Sequence, residues 1–241
     1  MRSWDQNVPE IDDVVMVGSP QQWVKAPTIR YPQLSTKYNN TTRGLLHVCS
    51  KKLVPNEFIL LNDDFFALRG TTVPAWHRGP MLEVVDAYRS RGINSNYVQG
   101  MEATAKALIR DGVQEPKCFE VHAPMYVQRD LMAHVLDTYS KDPSISVLHK
   151  RSAYSNLAGG RGVQVEDVKL RVPEEIGDSA VSDGPVWKGT LPDMDWVSTS
   201  DRVWAAGAGS LLTERFDASS RWEVSTLTRV HTSPGRVRWS A

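Results

Sequence analysis

Two cysteines in 241 residues are too few for a disulfide framework, and Cys49 and Cys118 share no CxxC or His-rich spacing that would suit zinc. Both sit among apolar neighbours, so each is expected to be a buried thiol. Excess charge is also missing: 28 Lys and Arg face 28 Asp and Glu, a formal net charge of zero. A protein that grips nucleic acid by charge alone carries a basic excess, so any such contact must come from a local patch. No apolar run reaches the roughly 18 residues of a membrane-spanning helix. The opening Met1-Arg2-Ser3-Trp4-Asp5-Gln6 lacks the apolar core of a signal peptide, so a soluble, cytoplasmic protein is expected. There is no GxSxG elbow, Walker loop or zinc helix. Gly207-Ala208-Gly209 is no dinucleotide fingerprint, because it lies inside a helical stretch and lacks the third glycine.

What is present reads as an α/β chain. Asp13 to Gly18 has the pattern of a buried strand ending in a glycine turn, and Pro27 to Tyr31 of a second extended piece. Asn40 or Thr41 is placed to cap a helix running to about Leu53. Glu57-Phe58-Ile59-Leu60-Leu61 is a continuous apolar run, as in a strand buried on both faces, and it stops at Asn62-Asp63-Asp64. Tyr97, Met101, Ala105 and Leu108 fall on one helical face, as do Met132, Val135, Leu136 and Tyr139. Cys118 to Val121 reads as a short strand leading into His122, and Arg151 to Leu157 as a helix closed by Gly159-Gly160. Between Val172 and Asp193, Pro, Gly, Ser and acids dominate, the composition of a mobile loop. Ser200 is placed to cap a helix beginning at Asp201, and the segment from Ser225 has no apolar period. Strands alternating with helices favour a mainly parallel central sheet flanked by helices.

The strongest chemical signal is Asn62-Asp63-Asp64 beyond the buried strand. Ligands of open α/β sheets bind beyond the carboxyl ends of strands. Two adjacent carboxylates there repel unless a cation neutralises them, and carboxylate oxygens suit Mg²⁺ or Mn²⁺ bridging to substrate phosphates. Solvated turn carboxylates are the competing reading. His122 is expected at the same sheet edge, either as a third metal ligand or as a base; a hydrogen-bonded core histidine is the alternative. Lys150, Arg151 and Arg161 surround Gly159-Gly160, a combination suited to phosphate oxygens. Asp201, Asp130 and His122 are the candidates for a base acting on an acceptor hydroxyl.

The block Glu57 to Phe66 resembles the "NDD" signature of the Stealth family of capsular-polysaccharide sugar-phosphate transferases, and glycosyltransferase-like proteins of bacteriophages. Arg2-Ser3 followed by Val15-Met16-Val17-Gly18 is similar to that family's "LRS…ivG" stretch, and Trp23 fits its "P-W" position. Lys37 with Asn40 loosely fits a further segment. His122-Ala123-Pro124-Met125 resembles its "H-x-P-M", and Ser198-Thr199-Ser200-Asp201 with Phe216 to Glu223 its closing block. The resemblance spans roughly residues 1–223. It implies a GT-A-like nucleotide-sugar transferase fold in one catalytic domain, residues 1–224, with a mobile loop at 172–193 and a tail at 225–241. It also implies a divalent metal, Mn or Mg, on Asp63 and Asp64, and a nucleotide-diphosphate sugar donor held with help from Asn62, Lys150, Arg151 and Arg161.

The implied reaction moves a sugar to an acceptor hydroxyl, on a glycan or on a hydroxymethylated pyrimidine of phage DNA. For DNA, Arg229, Arg236 and Arg238 of the tail are the expected phosphate contacts. Two rivals stand beside it: a sugar-1-phosphate transferase using the same site, and a non-catalytic binding protein on a decayed transferase fold. Relatives usually place a strand before the "LRS" helix, whereas this chain starts inside that helix; either its start is truncated or another segment completes the site.

Overall fold

The computed structural model describes residues 1–19, 22–32, 34–173, 184–223, 228–232 and 236–240, the last two stretches by backbone alone. One layer is helical. It contains α2 (Lys37–Ser50), α3 (Met81–Ser90), α4 (Asn96–Arg110), α5 (Arg129–Tyr139) and α6 (Lys150–Leu157). Their apolar stripes meet in one core, where Met81, Met101, Leu108, Met132 and Leu136 are fully buried. The stripes expected on α4 and α5 are the ones that face inward. Cys49 and Cys118 join this core, and burial pushes their thiols up to about 11 and about 12. Gly100 lets α4 approach the chain at Val147; a Cβ there would lie 2.4 Å from the Val147 carbonyl oxygen.

The second layer is a three-stranded sheet in the order β4 (Phe65–Ala67), β9 (Trp196–Thr199), β8 (Lys169–Leu170). Strand alternation divides its side chains between two clusters. Phe65, Ala67 and Trp196 face one, together with Trp4 of α1 (Arg2–Asn7). Leu68, Leu170 and Val197 face the other, which is closed by α7 (Asp201–Val203), a kinked turn at 204–208 and α8 (Gly209–Arg215). Ser200 caps α7 as expected, its hydroxyl accepting from the Val203 amide. α1 is tied down by Trp4 Nε1, which donates to the Phe65 carbonyl at 2.9 Å, and by Arg2, which forks onto buried Glu223.

The fold is mixed α/β, and its sheets are small rather than one mainly parallel sheet. β3 (Glu57–Leu60) pairs antiparallel with β6 (Met125–Gln128), and β9 is antiparallel to β4 but parallel to β8. Two more pairs are parallel, β1 (Met16–Val17) with β2 (Thr28–Ile29) and β5 (Trp76–His77) with β7 (Val163–Gln164). The expected strand at Cys118–Val121 does not form: Cys118 alone pairs with backbone, at Arg78 and Gly79, and side chains of α6 take groups on either side of it. Ser152 Oγ accepts from the Phe119 amide, Asn156 brackets Lys117, and Arg151 donates to the Val121 and Ala123 carbonyls.

Other expected boundaries shift for local reasons. α2 starts four residues early, because Thr36 caps it and Asn40 locks onto both backbone groups of Ser35. The strand expected from Asp13 shrinks to Met16–Val17, with Val17 exposed. Glu57–Leu60 is only partly buried, with one ladder partner. Residues 174–183 of the expected loop lie outside the described residues, and its described remainder includes a core anchor. Trp187 is buried and its Nε1 donates to the Ala206 carbonyl at 3.1 Å. The tail contains an antiparallel pair, β10 (Thr228–Thr232) and β11 (Arg236–Ser240); the side chains of Arg229, Arg236 and Arg238 lie outside the described residues.

Two glycine substitutions separate close packing from helix propensity. Gly100→Ala should destabilise by about 1–3 kcal/mol, since the added carbon overpacks a backbone carbonyl. Gly44→Ala, whose added carbon would meet only ordinary contacts at 3.6 Å, should be neutral or stabilise by up to about 1 kcal/mol. Urea unfolding of the two variants checks this.

Candidate functional site

Asn62, Asp63 and Asp64 form the turn between β3 and β4, closed by the Phe65 amide donating to the Asn62 carbonyl at 3.4 Å. Asn62 and Asp63 are exposed. Asp64 is half-buried: Ser198 Oγ donates to its carboxylate at 2.9 Å, and Lys169 Nζ lies 3.3 Å from the same oxygen. The pairing Phe65↔Ser198↔Lys169 across the three strands places those partners.

His122 reaches this end of the molecule by a different route from the one expected. It does not follow a strand; it precedes β6. Because Leu60 pairs with Met125, the chain just before β6 lies beside the chain leaving β3. The His122 amide donates to Asp167 Oδ1 at 2.9 Å, and its ring Nδ1 lies 2.6 Å from Asp167 Oδ2. Asp167 is 3% exposed. Burial works to raise its pKa, but the His122 ring and amide outweigh it and hold the carboxyl down at about 2. An ionised carboxylate only accepts hydrogen bonds, so Nδ1 carries the proton and Nε2 is left for other work. The ring is 30% exposed and stands edge-on to Phe65. Asp167 escaped sequence reasoning because it is 45 residues from its partner; the one local trace is an acid between Val165 and Val168, just ahead of β8.

Arg151 holds the backbone on either side of His122. Its Nη1 donates to the Val121 carbonyl at 3.2 Å and the Ala123 carbonyl at 2.5 Å, and its guanidinium lies 5.2 Å over the Phe65 ring. Burial lowers its pKa, opposed by the carboxylates of Glu120, Asp64 and Asp167. Its Nη2 is buried and has no hydrogen-bond partner. Glu120 accepts from the Ser152 amide and hydroxyl at the α6 N-terminus. Burial would raise its pKa, but His149, Lys150 and Arg151 together keep it below the usual carboxylate range.

Arg151 also lines an open cavity of about 180 Å³ with Arg161, Gly160, Trp76 and Tyr126; Asp63, Asp64, His122 and Asp167 do not line it. Two of the three expected basic residues therefore converge. Lys150 does not line it; its ammonium donates to Thr41 of α2 at 3.1 Å. Asp130 is also misplaced. It sits past Gln128, at the Glu57 end of the β3–β6 ribbon, and pairs with its neighbour Arg129. Three ladder steps, about 10 Å, separate that end from the Leu60 end. Asp201 lies at the correct edge, exposed, where β9 ends beside the start of β4.

Among the described residues, no three His, Cys, Asp or Glu side chains gather to hold a metal ion. Asp63, Asp64 and His122 do not form such a group; the His122 Nδ1 is engaged by Asp167 and one Asp64 oxygen by Lys169. Among the described residues, no helix is long and apolar enough to cross a membrane. Searched against known family models and curated proteins, the chain matches none.

The depressed Asp167 carboxyl makes stability depend on acid. Its contribution is present above its ordinary value of 3.8 and lost as pH falls toward about 2. Asp167→Asn should therefore unfold more easily at neutral pH, by on the order of 2 kcal/mol, and lose less stability than the parent between pH 4 and pH 2. Denaturant midpoints measured across that range provide the comparison.

Proposed function

We propose that this chain is a glycosyltransferase that moves a sugar from a nucleotide-diphosphate sugar to an acceptor hydroxyl, on a GT-A-like fold. The observation that carries the reading is the meeting of the Asn62–Asp64 turn and the Asp167-held His122 at one end of the β3–β6 ribbon, next to Arg151 and its cavity. An acid pair, an oriented imidazole and a buried cation beside an open pocket are the parts such a transfer needs. The resemblance of the Asn62-Asp63-Asp64 block and of His122-Ala123-Pro124-Met125 to transferase signatures points the same way.

The donor set suits a hard divalent cation that takes one or two carboxylates and fills its shell with water and diphosphate oxygens. It does not suit a metal that needs three protein ligands. Asp63, exposed, and the second oxygen of Asp64 would hold Mg²⁺ or Mn²⁺. When bound, the metal neutralises charge developing on the departing diphosphate.

The remaining work falls to the chain's own groups. Arg161, Arg151 and the backbone at Gly160 bind donor phosphate oxygens in the cavity. The acceptor oxygen bonds to the anomeric carbon as the bond from that carbon to the diphosphate breaks. His122 Nε2 takes the acceptor proton, and Asp167 stabilises the imidazolium that results. Asp201 is the alternative base, exposed at the end of β9. Phosphosugar transfer would use the same groups, so the products decide between the two.

UDP-, GDP- and dTDP-sugars incubated with the chain and Mn²⁺ should release nucleoside diphosphate. Release of nucleoside monophosphate would identify the sugar-1-phosphate reaction instead. No turnover, and no shift of the melting temperature by any donor, would mean a binding protein. Asp64→Asn should abolish metal-dependent donor binding in calorimetry while the chain stays folded. His122→Ala should lower kcat by about 10²–10⁴-fold with donor affinity kept; unchanged kcat would remove His122 from the reaction.

A further inference from the structure

Trp204 is the one exposed tryptophan among the described residues, 44% open to solvent. An indole left in water is a poor use of a large apolar ring unless something covers it. It is also firmly seated. Its ring stacks on Phe66 with centroids 5.9 Å apart and planes 24° apart. Gly209 lies against the indole so closely that a Cβ there would come within 2.5 Å of it. The chain kinks between α7 and α8 at Gly207, φ 113°. The stacked Phe66 on one side and the side-chain-free Gly209 on another hold the ring, so little rotamer freedom remains to be lost on binding.

The ring's position gives it a use. Phe66 is two residues past Asp64, and the Trp204 amide donates to the Ser200 carbonyl, one turn beyond the end of β9. Trp204 is therefore three residues from Asp201 on the same helical turn, and its stacking partner Phe66 is three residues from Asp63. Both of these carboxylates are exposed, and neither has an ion-pair partner among the described residues. A polynucleotide would bring phosphates against two free carboxylates. An uncharged saccharide brings hydroxyl donors, which carboxylates accept, and a face of polarised C–H groups, which the negative face of an indole attracts.

We propose that Trp204, with Asp201, forms a subsite for an uncharged sugar ring of the acceptor. Naming the ring as acceptor rests on the transferase reading; the binding itself does not.

The test is saturation-transfer NMR on the full chain with millimolar methyl glycosides of glucose, galactose and N-acetylglucosamine, in the absence of nucleotide sugar and metal. A single-stranded oligonucleotide bearing hydroxymethylcytosine serves as the competing probe. At least one glycoside should receive saturation, strongest at ring C–H protons, and shift the Trp204 indole N–H. Trp204→Ala should weaken binding about two- to tenfold, Trp204→Phe should keep most of it, and Asp201→Asn should lower it. If Trp204→Ala fails to fold, Trp204→Phe, Asp201→Asn and the indole shift carry the test. Silence from all three glycosides, equal binding to folded Trp204→Ala, or binding of the oligonucleotide in their place would overturn the proposal. Glycoside binding without donor turnover would remove the transferase reading and leave the subsite. Turnover with no sugar at Trp204 would do the reverse.

Discussion

A single buried guanidinium organises the centre of this protein. Arg151 donates to the carbonyls on both sides of His122 and covers Phe65 of the neighbouring sheet, and three carboxylates act on it from around. The charge is tolerated inside because it is compensated on several sides at once. Removing one partner from such an arrangement costs about 3–5 kcal/mol, since the others are left buried and uncompensated. The helical layer and the sheet layer are joined here by a charge and a ring, and the candidate site sits at that seam.

The division of labour between backbone and side chains follows from that seam. Where strands pair, as in β4–β9–β8, the ladder fixes position, and alternation sends Phe65 and Trp196 one way and Val197 and Leu68 the other. From Lys117 to Ala123 only Cys118 pairs with backbone, at Arg78 and Gly79; the other partners include Asn156, Ser152 and Arg151 on one face of α6. Glu120 reciprocates by capping that helix, whose own N-cap residue, His149, supplies no side-chain bond.

The helices were legible because their apolar stripes recur every three or four residues, as on α4 and α5, and tertiary packing agrees with that period. The Asn62–Asp64 turn was legible because an apolar run stops abruptly at three polar residues. His122 comes near the Asn62–Asp64 turn by a route other than the expected one: Cys118–Val121 has the apolar content of a strand, but content does not say whether a neighbour offers backbone or side-chain partners. Asp167 and the misplacement of Asp130 depend on pairing direction, and nothing in the β3 and β6 segments specifies that they run antiparallel. The buried Trp187 was hidden because one large aromatic anchors a stretch whose average composition is that of a loop.

The segment that carries His122 is held by interchangeable parts. A ladder is made of backbone, which no substitution can rewrite. Apart from the backbone pair of Cys118 with Arg78 and Gly79, the contacts along Lys117–Ala123 are made by the side chains of Asn156, Ser152, Arg151 and Asp167, each open to replacement by something longer, shorter or neutral. The imidazole can therefore be re-aimed by changes on α6 or ahead of β8 that leave every strand pairing intact. A scaffold of this kind separates the inheritance of its fold from the inheritance of its chemistry.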